Sequence, residues 1–160
     1  MSLIRDISQI LYDSDLGTGL RESQYMYPVV EGAHLLSLGL SFGLIAITDL
    51  RLIGAYLRDE PAGDVLRQLR PWVLSGFALT FATGILLFCA EAVKLLDNPA
   101  LPAKFALIFL AGLNALWFEF RHGGKLSGLT VPRGAKLAGW LSLILWTAVV
   151  VSGRLIPYLG

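Results

Sequence analysis

The sequence predicts an all-α fold: an integral membrane four-helix bundle with a short N-terminal amphipathic interfacial helix. Three observations predict it. Hydrophobic residues make up 55% of the 160 residues, charged residues 16%, and mean hydropathy is +0.65, outside the range of an ordinary soluble domain. The apolar residues gather in four windows, Val29 to Thr48, Trp72 to Ala90, Phe105 to Phe118 and Leu137 to Gly153. Lys and Arg concentrate in the segments between them, as in a chain that crosses a bilayer repeatedly.

At the N-terminus, Leu3, Ile4, Ile7, Ile10 and Leu11 recur at helical spacing, with Arg5, Asp6, Ser8 and Gln9 opposite and Ser2 placed as an N-cap. Such a helix is too short to span and is expected to lie along the interface. Asp13 to Gly19 (DSDLGTG) reads as a turn-rich hinge. This places the interfacial helix and hinge in residues 1–24 and the four spanning helices in 25–160, at about 28–56, 71–95, 101–121 and 135–157. Tyr25, Tyr27 and Pro28 lead into the first of these, and tyrosines suit the headgroup layer. A hydrocarbon core of roughly 30 Å asks for about 20 helical residues. The third window is short, but Leu101 and Phe120 extend it and Lys104 can snorkel to the surface.

Orientation follows from the basic residues. Loop 1 and its flanks carry Arg51, Arg58, Arg67 and Arg70, and loop 3 carries Arg121, Lys125, Arg133 and Lys136. Arg5, Arg21, Lys94, Lys104 and Arg154 fall on the other side, eight against five of the 13 basic residues. The positive-inside rule then places loops 1 and 3 in the cytoplasm and both termini outside. A net charge of +1 with no Lys/Arg run gives no reason to expect nucleic acid. The single Cys89 excludes an internal disulfide. No basic segment followed by a short apolar core and cleavage site opens the chain, so no signal peptide is expected.

Polar residues inside the apolar windows are the functional candidates, because ionisable groups at membrane depth face a bundle interior or a watery cavity. At 100° per residue, His34, Ser37, Ser41 and Thr48 share a sector of about 60°, with Gly32, Gly39, Gly43 and Ala46 on the far side. The second window carries Gly76, Thr80, Thr83, Gly84 and Glu91 along one side, again an interior stripe. Gly39 and Gly43 form a GxxxG for close helix packing, within the bundle or at a dimer seam. Asn114, mid-helix, needs an interhelical partner, and Asp49, Arg51 and Glu119 are expected to ion-pair at the membrane surface.

On the outer side the topology gathers Glu31, His34, Cys89, Glu91, Lys94, Lys104, Arg154 and Tyr158. Glu31 and His34, at i and i+3, form a charge-assisted pair in the simplest reading. In the sharper one His34 ligates a haem b iron or a copper ion through a neutral imidazole. A metal site would use His34 with Glu31, Glu91 or Cys89 as ligands, and in a haem site Lys94, Lys104 and Arg154 would meet the propionates. His122 lies at the opposite surface, so the two histidines cannot ligate one haem between them. No nucleophile elbow, phosphate loop or zincin motif supports an enzyme.

Tyr27-Pro28-Val29-Val30-Glu31-Gly32-Ala33-His34, Asp49-Leu50-Arg51, Gly112-Leu113-Asn114-Ala115 and Ser152-Gly153-Arg154 resemble an uncharacterised family of small bacterial four-helix inner-membrane proteins. More distantly, the chain is similar to the membrane domain of copper-resistance protein D and to four-helix b-type cytochromes, which implies a haem, copper or electron-transfer role. In that family a histidine often follows Asn-Ala-x-x-Phe; here the position is Glu119. The functional expectation is therefore a bacterial inner-membrane subunit or binding module, with a b-type haem or metal-binding electron-transfer component using His34 as its sharper form. The alternatives are a structural subunit of a homo-oligomer or larger membrane complex, and a small-solute or ion carrier.

Overall fold

A computed structural model describes residues 2–98 and 100–159; the side chains of Ser2, Ile156, Pro157 and Leu159 fall outside the description, and with them the cap expected of Ser2. The described residues form six helices: α1 (Ser2–Tyr12), α2 (Asp15–Glu22), α3 (Met26–Ile53), α4 (Ala62–Leu96), α5 (Ala100–His122) and α6 (Arg133–Leu159). The last four are each long and apolar enough to cross a membrane. The protein is thus a multi-pass membrane protein, and residues such as Leu36, Phe109 and Leu137 project outward to meet lipid.

The helix ends differ from expectation where local chemistry or packing prevails. The expected hinge over Asp13 to Gly19 is only a short break, because the Ser14 hydroxyl accepts from the Gly17 N–H (3.1 Å) and starts α2. Gly54, in the left-handed region at φ 85°, ends α3, earlier than the expected 56. Pro71 does not begin α4 but lies inside it. The nine residues before it stay helical because they are held by loop 3: Ala62 is 1% exposed, and a Cβ at Gly63 would collide with the Leu126 carbonyl.

The long helices pack in the order α4–α3–α6–α5, so that α4 and α5, consecutive in the chain, are the two ends of an open arc. The α3–α4 seam is the tightest part: Ser41 is fully buried, and a Cβ at Gly76 would overlap its hydroxyl. α1 and α2 rest on the C-terminal end of α4. Arg5 pairs with Asp97 (2.9 Å), and Arg21 lies over the Tyr12 ring and donates to the Ala90 carbonyl (3.3 Å). α1 buries Ser8 and turns Leu3, Ile4, Ile7 and Ile10 away from the bundle, the polarity of a helix whose apolar partner is not its own protein.

At the other end Arg51, 1% exposed, holds both loops. Its Nε donates to the Glu60 carbonyl (2.6 Å) and its Nη2 to the Leu129 carbonyl (3.1 Å). Sequence reasoning expected an ion pair here; instead Arg51 satisfies buried carbonyls of two loops, for which a five-donor guanidinium is suited.

Candidate functional site

Two polar regions lie within the spanning helices. The first is the α3–α4 seam. His34 Nδ1 is 3.0 Å from the Thr80 carbonyl and 3.0 Å from Thr83 Oγ1. A carbonyl only accepts, and the Thr83 hydroxyl already donates to the Leu79 carbonyl (2.7 Å), so Nδ1 carries the proton and donates to both. Thr80 Oγ1 lies 3.0 Å from Ser37 Oγ, and the Ser37 and Ser41 hydroxyls return to the carbonyls of His34 and Ser37. Gly84 makes room for the ring: a Cβ there would sit 3.1 Å from His34 Cε1. Each of these polar atoms has a partner on its own helix or on the facing one.

The outer constellation is looser than expected. Glu31 is exposed and no ion pair joins it to His34 among the described residues; the imidazole is held by α4 instead, because a carbonyl and a hydroxyl there meet Nδ1 directly. Glu91, at a non-helical kink in α4 (φ −123°, ψ 19°), pairs with Lys94 (2.9 Å). Lys104 reaches inward to Gly153, where a Cβ would stand 3.2 Å from Nζ, while Arg154 and Tyr158 are exposed. Cys89 is buried where α2 crosses α4, its carbonyl against Gly17. Among the described residues no three His, Cys, Asp or Glu side chains come together as a metal cluster. Among the described residues the imidazole nitrogen at this end is His34 Nε2, with Lys104 turned inward near it.

The second region is one the sequence did not single out as a site. Because α4 and α5 do not close on each other, a crevice of about 710 Å³ opens between them, floored by α3 and α6 and reaching the loop 1 and loop 3 end. Its apolar walls include Phe77, Phe81, Ile108 and Trp146; Asp49, Arg67, Arg70, Asn114, Glu119, His122 and Ser142 line its polar parts. Arg70 and Glu119 pair across the crevice at 2.8 Å, and Arg67 pairs with Asp64 at 2.8 Å. Asn114 donates to the Ala138 carbonyl (3.0 Å), tying α5 to α6.

Two buried polar atoms on this lining have no hydrogen-bond partner, Asp49 Oδ2 and His122 Nε2. Asp49 is 5% exposed, and although the Ser142 hydroxyl bonds its carboxylate, the second oxygen is left over. The expected surface ion pair of Asp49 does not form, because two residues of helix, about 200°, separate the direction of its side chain, toward α6, from that of Arg51, toward the loops. His122 is fixed by ring contacts to Trp117 (5.7 Å) and Phe118 (5.7 Å), and a Cβ at Gly134 would lie 3.1 Å from its Nε2. Sequence reasoning set His122 aside as a residue of the opposite surface. The signal that could have found this region was the coincidence of Asp49, Glu119 and His122 at one end of two helices, α3 and α5.

Residues 23–159 match the profile of a family of unknown function, DUF6644, and the chain belongs to that family. No curated protein and no solved structure matches it.

Proposed function

We propose that this member of the family is a membrane-embedded binding module, and that its working site is the α4–α5 crevice. The observation that supports this reading is that two residues lining an apolar cavity, Asp49 and His122, each keep a buried polar atom, Oδ2 and Nε2, without a partner. Buried polar groups are otherwise hydrogen-bonded, and leaving one unpaired costs about 1–3 kcal/mol. A polar occupant of the cavity that draws either side chain round would relieve that cost. Its volume falls in the usual range of small-molecule sites, about 300–1,000 Å³, and the open arc gives a ligand dissolved in the bilayer a lateral entrance.

Gly112 supplies the test. It lines the crevice, and a Cβ there meets nothing within 4 Å, so Gly112→Phe fills the space without displacing backbone. The expected result is that a small molecule co-purifies with the parent protein and is absent from Gly112→Phe at unchanged thermal stability. Equal recovery from both would remove the crevice from consideration.

A second reading, a haem or copper ion at His34 in an electron-transfer component, is favoured by one observation. With Nδ1 donating to Thr80, Nε2 is left with its lone pair outward from that bond, the tautomer a ligating histidine adopts. Such a group would supply one-electron chemistry, and His34 would hold it. An absorption spectrum and metal analysis of the purified protein decide: His34→Ala should remove the signal, and a cofactor retained in full by that variant would end the ligand role.

The positive charge of loops 1 and 3 supports an inner-membrane orientation with those loops, and hence the polar end of the crevice, in the cytoplasm. Reporter fusions after Gly63 and Gly128 should then report cytoplasm, and fusions after Asn98 or Gly160 the outside. One reversed pair overturns the orientation.

A further inference from the structure

The four long helices divide into two halves. α3 packs densely on α4, and α5 on α6, while the seam between the halves, α3 on α6, is lighter and lies on one side only. The crevice opens on the other side, where α4 and α5 do not close on each other. At one end of that gap the chain itself ties the two helices, through the short link after Leu96 that leads to Ala100. At the other end Leu66 of α4 and Phe118 of α5 both pack against the Leu52, Ala62 and Ala135 core.

Between those ends one polar bond crosses the gap. Arg70 on α4 and Glu119 on α5 meet at 2.8 Å, the one ion pair that joins these helices among the described residues. Both residues line the crevice and both side chains stay about half exposed, so the bond stands at the mouth of the crevice and not in its floor. Neighbouring residues select this pairing. Arg67, one turn earlier on α4, is taken by Asp64 at 2.8 Å, which leaves Arg70 to reach across. The Glu119 carboxylate lies over Gly123, where a Cβ would stand 2.8 Å from Oε1, the same oxygen that Arg70 bonds. Loop 3 thus seats the carboxylate that faces α4.

We propose that the Arg70–Glu119 pair is the latch of a clamshell: it holds the α3–α4 and α5–α6 halves together on the open side of the arc, and its release widens the crevice for an occupant to enter or leave. The inference rests on the binding-module reading and adds how access to that site is regulated. The bond suits a latch because it is weak. An ion pair this exposed shifts an equilibrium by up to about fivefold and is screened by salt, so closure by it is readily reversed. A fully buried pair in its place would seal the crevice.

Pulsed electron double resonance on the full-length protein in lipid nanodiscs measures the separation of the halves, with spin labels at Ser75→Cys on α4 and Phe120→Cys on α5. Both positions are exposed and neither lines the crevice, and the native Cys89 is buried. Arg70→Gln and Glu119→Gln should each move the distance distribution outward, raising the ratio of open to closed molecules by up to about fivefold. The double variant should go no further than either single one, because both remove the same bond. Added salt should widen the parent and leave these variants unchanged, and Arg67→Gln, which breaks a pair within α4, should keep the parental distribution. Parental distances in Arg70→Gln and Glu119→Gln, additive widening in the double variant, equal widening by Arg67→Gln, or a parent indifferent to salt would each overturn the latch. None of these readouts involves a ligand. Equal recovery of a small molecule from the parent and Gly112→Phe would strike the crevice as a site and leave the ion pair as the link between the halves, whereas unchanged distances strike the latch alone.

Discussion

The seam between α3 and α4 and the crevice between α4 and α5 share one helix and are built from similar residues, yet they end in opposite states. At the seam, His34, Ser37, Ser41, Thr80 and Thr83 bond each other or nearby carbonyls, and Gly76 and Gly84 let the backbones close. In the crevice, Asp49 and His122 keep a polar atom unpaired, and among the described residues no glycine of α4 or α5 lies against the other helix. The difference teaches how to separate structural from functional polarity in a membrane. A polar side chain whose partner stands on the facing helix holds the bundle together. One that is buried at a cavity wall with no partner calls for something from outside the chain.

The hardest way to break the comparison is to force the seam apart. Gly76→Leu places a side chain where the Ser41 hydroxyl already sits, and the displaced object is a helix rather than a flexible tip. Overpacking of this kind costs about 1–3 kcal/mol and occasionally more, and the loss should be at the upper end because the Thr80–Ser37 and His34–Thr80 bonds go with the contact. Thermal unfolding in detergent should show Gly76→Leu as the least stable of the variants described. A melting temperature equal to that of the parent would mean that the close approach is not what joins α3 to α4.

His34→Ala and Asp49→Leu sharpen the contrast, since both remove an ionisable group from α3. Losing the imidazole leaves the Thr80 carbonyl and the Thr83 hydroxyl with one partner fewer, a cost of about 1 kcal/mol for a net hydrogen bond and about 0.6 kcal/mol on average for interhelical bonds in bilayers. Asp49→Leu should leave stability unchanged or raise it by about 1 kcal/mol, because replacing a buried, incompletely paired charge by an apolar side chain is often neutral or favourable. Of the two variants, only His34→Ala should therefore lower the melting temperature. Equal losses would place Asp49 among the structural residues and weaken the case for a ligand beside it.

Much of the fold was legible because it follows from hydropathy and period. The four windows became four long helices, and the two polar stripes, His34-Ser37-Ser41 and Gly76-Thr80-Thr83-Gly84, could be drawn on a helical wheel before the partner of either was known. Pairings that depend on how helices are arranged around one another were not legible. Glu31 and His34 are neighbours on one helix, but the imidazole prefers a carbonyl on another. Asp49 and Arg51, two residues apart, face different parts of the molecule. The crevice was hidden for the same reason, since it exists only because α3 and α6 pack together and hold α4 and α5 apart. No one-dimensional pattern records that order.

The smallest expected effect tests a glycine motif whose spacing suggested more than its surroundings provide. Gly39 and Gly43 have the spacing of a close-packing pair, but a Cβ at either meets nothing within 4 Å, so neither joins α3 to a helix of the same chain. Their face is available for a second copy or another subunit, the one setting in which the motif would still act. In the isolated protomer, Gly39→Leu should leave the melting temperature within a degree or two of the parent or raise it slightly, since leucine is the better helix former by about 0.5–1 kcal/mol. Size-exclusion chromatography in mild detergent separates the remaining outcomes. A parent that runs as a dimer and a Gly39→Leu variant that runs as a stable monomer would identify the face as a subunit seam. Unchanged size with unchanged stability would leave α3 with a single working face, the one that carries His34. A variant that fails to fold would contradict the open surroundings of Gly39, and with them the contrast between this glycine and Gly76.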